Sequence, residues 1–257
     1  MRIVKIIFAS LLATPVWAFA QSGSTVKNIP EFKDSTLKHT VKMQVEIWSD
    51  VVCPFCYIGK RKFEEALNKF PQKDKIEVVW KSYQLDPEAT AEGTDYLKNL
   101  SERKGWSPEQ TRQITDNVTK MAEEVGLDYN FEKAIAANSF DAHRFSQLAL
   151  ARGLQDAAEE ALFKAHFTEG KNIADRAMLI DLGASIGLDP MEVKNTLESQ
   201  AFADEVHLDI EQARQFRVSG VPFFVFDRKY AVSGAQDSEV FLKTLEKALE
   251  TWDGSTH

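Results

Sequence analysis

WSDVVCPFCYIGKRKFEEAL, residues 48–67, holds both cysteines of this 257-residue chain, Cys53 and Cys56. The run before it, MQVEIWS (43–49), is rich in β-formers and alternates. Val45 and Ile47 face one way, Glu46 and Trp48 the other. The run after the cysteines, YIGKRKFEEALNKF (57–70), changes period. Ile58, Phe63, Ala66, Leu67 and Phe70 form a helical stripe that Pro71 stops. The pair therefore sits where a strand passes into a helix.

Three roles compete for a lone C-x-x-C. As a staple it would close so short a loop that little unfolded-chain entropy is removed. As a zinc site it supplies two of four ligands. The five histidines, His39, His143, His166, His207 and His257, form no H-x₃₋₅-H pair to complete it. As a redox dithiol it is well placed, because the free N–H groups and dipole of a helix start favour a thiolate. Pro54, which lacks an N–H, suits the first helical position. On this reading Cys53 is the exposed nucleophile and Cys56, one turn inside, resolves the mixed disulfide. No metal and no cofactor is expected.

Composition is that of a globular protein, 44% hydrophobic and 27% charged. The formal net charge is −8 and no basic run occurs, which argues against nucleic-acid binding. The N-terminus, MRIVKIIFASLLATPVWAFAQ, has Arg2 and Lys5, an apolar run and Ala18-Phe19-Ala20. That is the pattern of a secretory signal over 1–20, followed by a polar linker over 21–42. It implies export to the periplasm or beyond, with no membrane insertion after cleavage. Translation from Met43 would instead leave the protein cytoplasmic.

Downstream, KIEVVWKSYQL (75–85) reads as a second strand, parallel to the first. Ser107-Pro108-Glu109-Gln110 is a capping box with proline at the first helical position. Further helices are expected over 138–153, 155–170, 175–187, 189–199 and 202–218. PFFVFD (222–227) and KYAVSG (229–234) read as a hairpin, and 237–252 as a closing helix. The order gives an α/β fold: a mixed four-stranded sheet in two halves, 43–85 and 201–257, with an all-helical domain inserted over 86–200.

CPFCYIGKR after EIWSDVV resembles the DsbA-like thioredoxin-fold oxidoreductases, in particular the FrnE-type branch. NSFDAHR (138–144), LFKAHFTEGKNIAD (162–175) and SGVPFFVFDRKYAVSGAQ (219–236) resemble the same branch, in the same order. The resemblance implies a thioredoxin-like fold and disulfide exchange with protein thiols or disulfides, recharged by a redox partner protein or glutathione. It implies that Val221-Pro222 is cis and faces the cysteines. Val221, Pro222, Pro54 and Phe55 are then substrate-binding residues. Strong oxidants of this fold carry histidine where Phe55 stands, so a milder, less oxidising couple is expected. With no further cysteine, a second redox centre is excluded.

Two other classes remain. Kappa-type glutathione transferases and 2-hydroxychromene-2-carboxylate isomerases share the architecture but place serine at the helix start. A non-catalytic peptide- or metal-binding module is the third. Among neighbouring residues, Glu46 is read either as the buried carboxylate that many thioredoxin-fold proteins place beneath the resolving cysteine or as a solvent-facing strand residue, and Asp50 as a cap on the approach to the helix. His143 is read as hydrogen-bonded within the helical domain, with a place lining the cleft between insertion and sheet half as the alternative, and His166 as packing. Phe55, Tyr57 and Trp48 are candidates for an apolar rim around Cys53, with core packing the equal alternative for Trp48.

Overall fold

The structure, a computed structural model, describes residues 41–255. The signal segment and all but the end of the linker lie outside the described residues. The first strand, β1 (Met43–Ser49), leads into α1 (Pro54–Lys69), and a short 3₁₀ turn leads to β2 (Ile76–Ser82). A two-residue strand β3 (Thr94–Asp95), α2 (Tyr96–Lys104), α3 (Pro108–Glu123) and a second short strand β4 (Ile135–Ala136) follow. Then come α4 (Phe140–Ala151), α5 (Gln155–Phe167), α6 (Arg176–Ser185), α7 (Pro190–Glu198) and α8 (Ala203–Gln215). Strands β5 (Phe223–Phe226) and β6 (Tyr230–Ser233) and helix α9 (Ser238–Thr251) close the fold.

The main sheet runs β2-β1-β5-β6, with β1 and β2 parallel and the other pairs antiparallel. This is the α/β, thioredoxin-like arrangement that the order of elements implied. The inserted region is helical apart from the β3–β4 ribbon, where Thr94 pairs with Ala136 and Asp95 with Ile135. Segments of two residues carry no period, so the ribbon left no trace in the pattern.

Alternation along β1 sorts two cores. Val45 and Ile47, with Phe224 and Phe226 opposite, pack on Phe63 of α1 and on Phe241 and Leu245 of α9. The same core continues without a break into the insertion through Val118, Tyr129, Phe163 and Phe167. On the other face Trp48 packs with Ala213 of α8, Val218 and Val225. Its ring meets Phe216 edge-on at 5.4 Å, and its indole N–H donates to the Asp209 carbonyl at 2.9 Å. Trp48 is thus a core residue beneath α8, not part of a rim around Cys53.

Glu46 shares that face and is buried, which corrects the solvent-facing expectation. The β5–β6 turn has positive φ at Asp227 and Arg228. It delivers the Arg228 guanidinium to both Glu46 oxygens, at 3.0 and 2.9 Å. A bidentate partner makes the buried carboxylate tolerable. The capping box at Ser107 and Gln110 is present in both directions.

A cleft at the start of the cysteine-bearing helix

Cys53 is the N-cap of α1 and Pro54 its first helical residue. The helix therefore begins three residues earlier than the periodicity at 57–70 indicated, because the stripe becomes visible only once the turn is complete. No side chain caps this end and no acidic residue lies in its first turn. The N–H groups at the helix start are left facing the N-cap, where negative charge is favoured. The Cys56 N–H donates to the Cys53 carbonyl at 3.0 Å, and the Cys53 N–H donates to the Asp50 carbonyl at 2.9 Å. Both cysteines are unbridged.

Val221–Pro222 is a cis peptide, as the resemblance implied. The Cys53 thiol donates to the Val221 carbonyl at 3.5 Å, so strand β5 begins directly against the nucleophile position. Pro222 lies close against α1: a Cβ built on Gly59 would stand 2.9 Å from the proline ring. Glycine there lets the Pro222 ring lie directly against the helix backbone.

Cys53 is only 4% exposed, against the expectation of an exposed thiol. Helices α2 and α3 of the insertion line the cleft beside it, and Val221 faces it from the sheet side. Between them lies a cleft of about 430 Å³. Cys53, Phe55 and Val221 form one end, and Leu85, Tyr96, Leu100, Ile114, Val118 and Phe131 give it an apolar wall. Arg103 and Lys104 stand at its rim. Arg103 is engaged there, donating to the Leu85 carbonyl and pairing with Asp86 at 3.2 Å. Phe55 is 38% exposed, the expected apolar lip. Tyr57 instead points inward, stacking on Phe163 at 4.9 Å and donating to Glu160 at 2.6 Å.

Cys56 is fully buried, and burial, reinforced by the neighbouring Cys53, pushes its thiol well above the ordinary range. The Ser49 hydroxyl and the Asp50 backbone oppose that shift. An asymmetric pair results: one sulfur opens on a cleft, the other lies beneath it. Among the described residues, no cluster of three or more metal-ligating side chains occurs.

Residues 44–246 match the DSBA-like thioredoxin domain. The chain belongs to that family. The family is one of DsbA-like thiol oxidoreductases. This DSBA-like chain is similar to a probable DsbA oxidoreductase from Streptomyces coelicolor, at 39% identity and a TM-score of 0.79 over 84% of this chain and 93% of that one. It also resembles the cytosolic disulfide reductase DsbM from Pseudomonas aeruginosa, solved with GSH. There the identity is 16% and the TM-score 0.59, over 80% and 99% of the two chains, a likeness of fold. The uncharacterized protein YwbO of Bacillus subtilis (strain 168) is 29% identical over 206 residues, 79% of this chain and 96% of YwbO.

Two features escaped the sequence reading. Asp50 does accept from Val52 N–H on the approach to α1, at 3.4 Å through Oδ1, but it is also fully buried, and its Oδ2 accepts the Leu85 N–H at 2.7 Å. His143 does not bond within the helical domain; its Nε2 stands 3.4 Å from Asp50 Oδ1, across the seam between insertion and sheet. An aspartate in the apolar stretch between a strand and a C-x-x-C was the available signal. The second feature is Tyr129, whose hydroxyl donates to the Pro54 carbonyl at 2.7 Å and ties the insertion to the first turn of α1.

Proposed function

We propose that this protein exchanges disulfides with protein substrates through Cys53 and Cys56. The observation that carries the reading is the unequal pair at the start of α1, with Cys53 against Val221 at the mouth of the cleft and Cys56 buried behind it. In the reducing direction the Cys53 thiolate attacks a substrate disulfide, forms the mixed disulfide and releases one substrate thiolate. Cys56 loses its proton and attacks the Cys53 sulfur. The second substrate thiolate leaves, and two electrons have passed from the dithiol to the substrate. Oxidation of a substrate dithiol is the same path reversed.

The apolar wall beside Val221 supports a polypeptide substrate. Its extended backbone would lie along the start of β5 while a side chain next to its cysteine enters the cleft. Pro54 and Phe55 supply the lip. A glutathione transferase or isomerase has no use for a buried second thiol, so Cys56 favours dithiol exchange over those classes. The four stretches that resemble the FrnE-type branch support placement there. Phe55, without charge or hydrogen-bonding groups, supports a couple less oxidising than that of DsbA, whose potential is about −120 mV. The pattern of residues 1–20 supports export. A mature N-terminus at Gln21 is expected from protein recovered outside the cytoplasm, and a start at Met43 would overturn that part.

The test is insulin reduction together with refolding of a scrambled disulfide protein. Cys53→Ser should abolish both. Cys56→Ser should accumulate a substrate adduct that dithiothreitol releases. A Cys53→Ser variant with undiminished exchange would refute the proposal.

A further inference from the structure

The buried pair at the seam has no part in the exchange as described so far. Asp50 lies three residues before Cys53, and its carbonyl receives the Cys53 N–H at 2.9 Å. Both side-chain oxygens act as acceptors, Oδ2 from Leu85 N–H at 2.7 Å and Oδ1 from Val52 N–H at 3.4 Å. Two backbone N–H groups thus converge on this carboxyl group. It is fully buried, and a buried charge needs a partner. His143 of α4, itself 2% exposed, brings Nε2 to 3.4 Å from Oδ1. The contact is within ion-pair range but outside hydrogen-bond geometry, and Nε2 has no other partner.

Asp50 is the main acidic neighbour of His143. From α5, Glu159 faces the ring and adds to the field favouring its protonated form, while accepting from Ser146 at 2.6 Å; burial raises its carboxyl above the usual range. From the segment after β2, the Tyr83 carbonyl favours the protonated ring. On α8, Asp209 is committed to Lys81, the Ser82 N–H and Gln147. On α4 itself Arg144 pairs with Asp141, which also takes Arg176 of α6. Arg144 further donates to the carbonyls of Thr196 in α7 and of Ser199 just after it. Burial alone would lower the His143 value, but Asp50 and then Glu159 outweigh it and raise it.

We propose that His143 is a positioning residue for thiol exchange: protonated, it neutralises Asp50 and so keeps an uncompensated negative charge away from the turn that presents Cys53. The proposal rests on the oxidoreductase reading and adds to it a control element contributed by the helical insertion. Without the imidazolium, Asp50 stands alone in a poorly screened site and its field opposes formation of the Cys53 thiolate.

The test is the rate of Cys53 alkylation by iodoacetamide against pH, read by mass spectrometry on the reduced full chain. H143Q should slow alkylation at pH 6.5 by about tenfold, the effect of a one-unit change in thiolate equilibrium. D50N/H143Q, which removes the stranded charge, should return to within about twofold of wild type. H143K, which restores a cation, should recover most of the rate. Superposed profiles of wild type and H143Q would overturn the proposal. So would a folded double variant as slow as H143Q, since a packing defect is not repaired by deleting a second group. If H143Q does not fold, the NMR titration of His143 in the wild type decides. Its midpoint should move when the Cys53–Cys56 disulfide forms, and an unchanged midpoint would overturn the coupling. Failure of the wild type to exchange disulfides with insulin, with these alkylation differences intact, would sink the oxidoreductase reading alone.

Discussion

His166 should be the main acid-sensitive histidine of the fold, and replacing it with phenylalanine should remove that sensitivity. The ring is fully buried in α5, and neither nitrogen has a hydrogen-bond partner. It packs edge-on against Tyr96 at 5.9 Å and Phe167 at 4.4 Å, behind the wall of the cleft. Burial lowers its titration to about 4, with Asp50 opposing weakly. In the unfolded chain a histidine titrates near about 6.5. The folded value is the lower of the two, so the unfolded state binds the extra proton between them. Stability from this group is complete above about pH 6.5, falls as pH drops toward 4, and levels off below. At pH 5 the unfolded histidine is protonated and the folded one is not. The interval of about 1.5 pH units, at about 1.4 kcal/mol per unit, gives a loss of about 2 kcal/mol.

Urea unfolding at pH 8 and pH 5, followed by tryptophan fluorescence, measures that loss. Other titrating groups contribute to wild type and variant alike, so the difference between them isolates His166. His166→Phe should lose about 2 kcal/mol less than wild type between the two pH values. An equal loss in both proteins would refute the assignment of the acid limb to this ring.

Three further outcomes follow from packing and charge. Ile114→Trp, which fills the cleft, should leave iodoacetamide alkylation of Cys53 unchanged while lowering kcat/KM for protein disulfides about tenfold, the worth of one apolar side chain excluded from its pocket; equal loss with a small disulfide would show that the cleft does not select polypeptide. Gly59→Val should destabilise by about 1–3 kcal/mol in thermal or urea melts, because its Cβ meets the Pro222 ring at 2.9 Å, and an unchanged Tm would mean that β5 shifts freely. Lys60 is buried among Glu64, Asp156 and Glu160, so Lys60→Met should cost about 2–3 kcal/mol at pH 7. Glu160 is pushed up by burial but held down to about 2 by Arg61, Tyr57 and Lys60; its contribution is present above the ordinary carboxylate range and lost as pH falls toward 2, so the Lys60→Met penalty should shrink in acid.

The sheet and the reactive pair were legible because their signals are local. Alternation in 43–49, proline after Cys53 and the stripe that follows fix a strand, a turn and a helix within thirty residues. The cis peptide at Val221–Pro222 is different: proline permits it, but only the likeness to a family pointed to it. What the pattern missed depends on contacts between distant segments. Cys53 reads as exposed at a helix start, yet it is buried at one end of a cleft that α2 and α3 line. Glu46 reads as a surface residue until the β5–β6 turn brings Arg228. Asp50 and His143 each have ordinary local roles, and only docking of α4 against the β1–α1 turn joins them.

Val51 lies in the core of the insertion, among Ala142, Phe145, Leu162 and Leu179, while Cys53 two residues later belongs to the core shared with the sheet. The cysteine turn is therefore shared: Val51 faces the helices that follow β2, and Cys53 faces the core around the sheet. A chimera that swaps residues 86–200 between relatives would separate Val51 from the helices shaped to receive it. Such an exchange should transfer folding and thiol chemistry intact only when residues 50–52 travel with the helices, together with the α1 and β2 side chains that meet α5, Tyr57, Arg61 and Trp80.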